Sequence, residues 1–109
     1  MVEPTPTLAL ALAVIEPRLL EAGFESAGND DNGMYAWQRF RRAERRFSRV
    51  ITVSHASAEQ AFLADAYVIP RDTHIQTPVG REVRRYGAPA EAAAVAGALA
   101  DAVLAWVDA

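Results

Sequence analysis

With 109 residues, 51% of them hydrophobic and 23% charged, the chain has the composition of one folded domain, not of a disordered or fibrous protein. It has no cysteine, which excludes disulfides, thiolate metal sites and thiol catalysis. Its 11 basic residues are all arginine and alanine dominates the apolar set, the bias expected of a GC-rich bacterial genome; the formal net charge of −3 does not draw polyanions to the molecule as a whole.

Leu8–Ile15 is a short Leu/Ala-rich run. A signal peptide needs positive charge before such a run, and the only charge here is Glu3. The run is also far shorter than the ~20 apolar residues that span a bilayer. A cytoplasmic location without membrane attachment is the expectation. Thr5-Pro6 offers an N-cap and a first-turn proline, and Leu8, Leu12, Ile15 and Leu19 recur at helical spacing. Pro17 inside this pattern predicts a kink, or two shorter helices meeting near Ile15–Glu16. Gly23 suits a left-handed helix end, with Phe24 folding back onto the last turn. Residues 28–33, Gly-Asn-Asp-Asp-Asn-Gly, predict a loop, since Asn and Asp bond their own backbone and Gly allows positive φ.

Phe47–His55 alternates as a strand, and Met34–Arg41 and Ala61–Ile69 are its candidate partners. Two helical readings compete. Trp37, Phe40, Ala43 and Phe47 fall within one helical arc, and Ser57 with Gln60 could open a helix through Tyr67. The strands are preferred, because a lone central strand would leave both its edges unpaired.

Residues 70–77 are polar and irregular in pattern. Thr77-Pro78, followed by Val79, Val83 and Tyr86 at helical spacing, predicts a short helix ending at Gly87. Pro89 opens the last helix, whose stripe is Val95, Leu99, Ala102, Val103 and Trp106, with Trp106 expected in the core. Gly97 within it costs about 1 kcal/mol relative to alanine, and suggests close packing against the first helix or the sheet.

Few residues point to catalysis. Asp30, Asn32 and Gly33 sit at EF-hand-like intervals, but Gly28 and Arg39 occupy the terminal ligand positions, so the segment reads as a polar turn. His55 and His74 are not spaced as a metal pair, and Asp72 with His74 is the one candidate acid–base pair. No nucleophile elbow, zinc signature or phosphate-binding glycine loop accompanies them. No cofactor or metal is expected.

The arginine-dense segment 39–49 has more content. Arg39, Arg41, Arg42, Arg45, Arg46 and Arg49 face only Glu44 there, a local charge of +5 that leaves −8 for the remainder. In a hairpin turning near Ala43–Arg45, Arg39 and Arg41 share a face with Trp37, while Arg42 and Arg46 face the other way. Arginine's planar fork binds carboxylates and phosphates in a bidentate manner, so the segment suits an acidic protein partner or a phosphate backbone. The plain alternative is a solvated ribbon whose arginines pair with the chain's own acids.

These elements predict an α+β fold in one domain, 1–109: a three-stranded antiparallel meander packed by an N-terminal and a C-terminal helix, with a short helix before the last. At the level of class, small acidic chains of this kind look like bacterial proteins that bind another protein, such as toxin-neutralising immunity proteins and dedicated chaperones. That likeness rests on architecture and composition alone. The expectation is a non-enzymatic protein-binding chain, neutralising toward a toxin, with a homodimer also compatible. Its binding residues are expected among Arg39, Arg41, Arg42, Arg45, Arg46, Arg49, Asp30, Asp31 and Asp72, with Glu25, Asp65, Asp101 and Asp108 adding charge if they share a face. Nucleic-acid or phospholigand binding through 39–49 is the alternative. A dedicated chaperone or a small enzyme using His74 and Asp72 is the second alternative.

Overall fold

The computed structural model of the protein describes residues 5–109. Helix α1 (Leu8–Glu21) buries Ala11, Ile15 and Leu19 along one stripe. Its N-cap is Thr7, two residues beyond the Thr5-Pro6 signal. Pro17 does not divide the helix; it lies with Ala13 on the exposed side, where water can satisfy the Ala13 carbonyl that lacks its helical donor. The helix ends as expected at Gly23, whose φ is +94°. The amides of Gly23 and Phe24 donate back to the carbonyls of Leu20 and Leu19 at 3.1 and 2.9 Å, and Phe24 enters the core.

Five strands follow in an antiparallel meander, β1 (Glu25–Asp31), β2 (Tyr35–Ala43), β3 (Phe47–Ala56), β4 (Ala61–Pro70) and β5 (Thr77–Arg85), paired in sequence order. The three central strands lie where the residue pattern places them, and both helical alternatives are absent. The sheet has five strands instead of three because two segments that look like loop and helix are its edges.

Residues 28–31 belong to β1 and only 32–34 form the turn. The Asn/Asp chemistry acts in that turn: Asn32 Oδ1 accepts the amides of Met34 and Tyr35 at 3.0 and 2.8 Å. Before it, β1 bulges between Ser26 and Asn29, with Gly28 at φ +126°. The buried Gln38 side chain supports the bulge, donating to Ser26 Oγ at 2.6 Å and to the Gly28 carbonyl at 3.1 Å. At the opposite edge, 77–85 is strand β5, not a short helix. A second bulge, opposite Ala66/Tyr67, sends Val79 toward the core while Val83 faces the other side, which turns a two-residue alternation into apparent helical spacing. Pro78 is tolerated because β5 is an edge.

Pro89–Glu91 form a single 3-10 turn leading into helix α2 (Ala92–Ala105). Both helices pack on the same side of the sheet and on each other, α1 over β2 and β3, α2 over β4 and β5. The core between the layers holds Phe40, Ile51, Val53 and Phe62 from the sheet against Ile15, Leu19, Leu99 and Val103 from the helices. Small residues at the contact, Ala64 and Ala66 below and Ala96 and Ala100 above, let α2 lie close. Trp106, packed on this core as expected, lies over Gly80.

Gly97 does not mediate a close approach, since a Cβ built there meets nothing within 4 Å. Gly97→Ala is therefore expected to raise stability by up to about 1 kcal/mol through the helix preference of alanine, measurable as a higher urea midpoint. Among the described residues no helix is long and apolar enough to cross a membrane.

Candidate functional site

Strand alternation separates two sets of side chains. Ala36, Gln38, Phe40, Ile51, Val53, Phe62 and Ala64 point at the helices. Tyr35, Trp37, Arg39 and Arg41 of β2 point the other way, beside Val50 and Thr52 of β3, Leu63, Asp65, Tyr67 and Ile69 of β4, and Arg81 and Val83 of β5. No helix covers this second face. Part of it is walled by the β4–β5 loop, which folds back to make an open groove of about 620 Å³. Arg39, Arg41, Val50, Tyr67 and Ile69 form its floor, and Arg71, Thr73 and His74 its wall. A second hollow of about 350 Å³ adjoins it, sharing Arg39 and Tyr67 and continuing over Trp37, Thr52, Asp65 and Gln76.

The six arginines of 39–49 divide into three pairs. Arg42 and Arg49 face the helices, directly opposite each other across β2 and β3. Two like charges in that position repel, and Glu44 offsets the repulsion, its Oε2 lying 3.0 Å from Arg49 Nε and 3.5 Å from Arg42 Nη2. Further donors satisfy the C-terminal ends of the two helices. Arg42 donates to the carbonyls of Ala22 and Val107 at 3.0 and 2.7 Å and pairs with Asp108; Arg49 donates to the main-chain oxygens of Trp106 and Ala109 at 3.2 and 2.7 Å. Both guanidinia thus sit at the negative end of α2. These two hold the fold's end together and are not displayed.

Arg45 and Arg46 are exposed in the β2–β3 turn. Arg39 and Arg41 stand on the uncovered face with Trp37, as the hairpin reading placed them. Arg41 Nη2 donates to Ser48 Oγ at 3.1 Å. The Arg39 guanidinium lies 4.9 Å from the Trp37 ring centroid, and its Nε is enclosed without a hydrogen-bond partner. Among the described residues neither arginine forms a salt bridge. Arg71 joins them from the loop, its Nη2 donating to the Glu44 carbonyl at 2.9 Å. Asp65 lies in register with Arg81 and in the same row as Arg39. Burial pushes its carboxyl above the usual range, against the pull of Arg81 and then Arg39.

The acidic residues converge only in part. Glu25, Asp30 and Asp65 fall on the uncovered face by register, while Asp31 alternates to the other side, Asp72 lies in the β4–β5 loop, and Asp101 and Asp108 lie on and after α2. His74 lines the groove. His55 is buried on the helix side, its Nε2 2.7 Å from Tyr86 Oη and its ring 4.9 Å from that of Phe62. Among the described residues no group of three His, Asp or Glu is placed to hold a metal ion.

Burial lowers the His55 pKa below its ordinary 6.5, with Asp31 opposing. A depressed folded-state value stabilises the fold above 6.5, and that contribution is lost as pH falls toward the depressed value, because the unfolded chain takes the proton first. Unfolding in urea at pH 7.5 and 5.5 should show the wild type losing stability on acidification, with His55→Gln losing measurably less.

No family model, curated protein or solved structure matches this chain. Function therefore has to be read from the uncovered face itself. Tyr67, Arg71 and Arg81 belong to it and were not among the expected binding residues, whereas Asp65, expected to add charge, does lie on it. For Tyr67 a signal existed: once Ala61–Ile69 is a strand, Leu63, Asp65, Tyr67 and Ile69 necessarily share one side. Arg71 and Arg81 had none, because one depends on how the loop folds back and the other on a strand whose residues imitate a helical stripe.

Proposed function

We propose that this chain is a non-enzymatic protein-binding domain that works through the uncovered face of its sheet. The observation that carries the reading is the company kept there: Trp37, Tyr35 and Tyr67 with Arg39 and Arg41, over the apolar floor of Val50, Leu63 and Ile69. Aromatic residues and arginine are the types enriched at the centres of protein interfaces. An arginine half-enclosed against a tryptophan, with no salt bridge among the described residues, suits a carboxylate brought by another molecule. Of the acids expected to mask a toxin's basic site, Glu25, Asp30 and Asp65 share this face with the arginines and the others lie elsewhere, so neutralisation of a toxin is one version of this reading, resting chiefly on the arginine–aromatic face.

A second reading takes its support from the groove. Arg39, Arg41 and Arg71 around it, with stacking surfaces alongside, would also suit single-stranded nucleic acid or a phosphorylated ligand. Glu25 opposite Arg41, Asp30 opposite Trp37, and Asp65 in the row of Arg39 oppose a polyphosphate track, and favour protein.

Affinity capture from nuclease-treated source cells, using the wild type, Arg39→Glu and Tyr67→Ala, tests the proposal. The expected result is a stoichiometric protein held by the wild type and lost with both variants while their melting temperatures stay near that of the wild type. Undiminished capture by both variants would remove the uncovered face from the account, and a nuclease-sensitive catch would favour the second reading.

A further inference from the structure

We infer that the basic half of the uncovered face takes an extended acidic segment of the partner, with alternate carboxylates seated on Arg39 and Arg41; this rests on the protein-binding reading above. Arg39 and Arg41 are two residues apart on one strand, so their side chains leave the same face roughly 6.6 Å apart. That is also the repeat of alternate side chains on an extended peptide, so a Glu-x-Glu stretch lying along β2 presents one carboxylate to each arginine. Both arginines lack a salt bridge among the described residues. Arg39 is further set up for a bidentate partner: Trp37 supports its guanidinium at 4.9 Å, and among the described residues its terminal nitrogens form no salt bridge.

The groove's shape agrees with a chain and not with a compact ligand. It is an open trough whose lining follows β2 from Ala43 through Arg41 to Arg39. It continues at Arg39 and Tyr67 into the second hollow, where the charge changes sign at Asp65. A peptide can follow that change by giving Asp65 a hydrogen-bond donor or a cation. A phosphate backbone, negative at every step, would meet Asp65 and Glu25 unfavourably.

The test is fluorescence anisotropy with three labelled probes: a short peptide of alternating Glu and Val, the same peptide with Gln for Glu, and oligo-dT of similar length. The Glu peptide is expected to bind, the Gln peptide to bind about tenfold or more weakly, and added salt to reduce the difference. Arg39→Gln with Arg41→Gln should weaken the Glu peptide by about tenfold or more, whereas Arg85→Gln, at the far end of the face, should change it by less than about twofold. Equal affinity for the Glu and Gln peptides, tighter binding of oligo-dT, or no binding of any probe would each overturn the inference. Partner capture that still depended on Tyr67 but survived Arg39→Gln with Arg41→Gln would leave the protein-binding reading intact and sink only this one.

Discussion

Arg49→Ala is expected to lower stability by about 3 kcal/mol, the largest effect among the arginines. The side chain is 4% exposed and makes three hydrogen bonds, to Glu44 Oε2 and to the main-chain oxygens of Trp106 and Ala109. Truncation removes the cation that offsets Glu44, takes the Arg49 donor from the Ala109 oxygen, and leaves the Trp106 oxygen with only the Ala109 amide at 3.3 Å. The loss stops short of the most severe cases because Glu44 keeps Arg42 at 3.5 Å and is itself partly solvated. Lysine should recover less than half the loss, since one ammonium cannot reach three acceptors arranged for a planar fork. Arg45→Ala, in the exposed turn, should change stability by less than about 0.5 kcal/mol. Urea unfolding of the three variants makes the comparison, with an unchanged m-value required for the reading. Equal small losses at Arg49 and Arg45 would contradict the division of the arginines into structural and displayed sets.

Gly80→Ala is expected to cost about 2 kcal/mol or more, although it adds one methyl group to an edge strand. A Cβ on Gly80 would overlap the Trp106 indole at three ring atoms. The ring cannot simply swing out, because its main-chain oxygen is held by Arg49 and the following Val107 is buried in the core. Pairing Gly80→Ala with Trp106→Leu should therefore be far less than additive, since the smaller side chain leaves room for the methyl. Additive losses in that double-mutant cycle would mean that Trp106 does not rest on Gly80.

These two contacts also mark where reading residues in order stopped. The α+β class, α1 with its Gly23 ending, the three central strands and α2 all follow from periodicity and end signals, because their local preferences agree with their tertiary positions. The edge strands did not, and for physical reasons. Strand β1 carries Gly28, Asn29, Asp30 and Asp31, which are turn formers, and it is held by pairing with β2 and by Gln38 beneath its bulge. Strand β5 carries a proline and a bulge that mimics a helical stripe. Edge strands bury little, so their own sequences record little of the fold. The same limit applies to the site. Arg39, Arg41 and Trp37 could be placed on one face from alternation alone. The withdrawal of Arg42 and Arg49 depends on where the C-terminal ends of the two helices arrive, and the groove depends on the path of residues 71–76.

On the proposed reading, partners meet the face of the sheet opposite the helices. Site-specific photo-crosslinking tests it most directly, with a photoreactive phenylalanine analogue at Tyr67 in one protein and at Ala98, exposed on α2, in another. In extract from the source cells, the account expects one discrete protein adduct from position 67 and none from position 98. An adduct from position 98 alone would place the working surface on the helices and contradict the account.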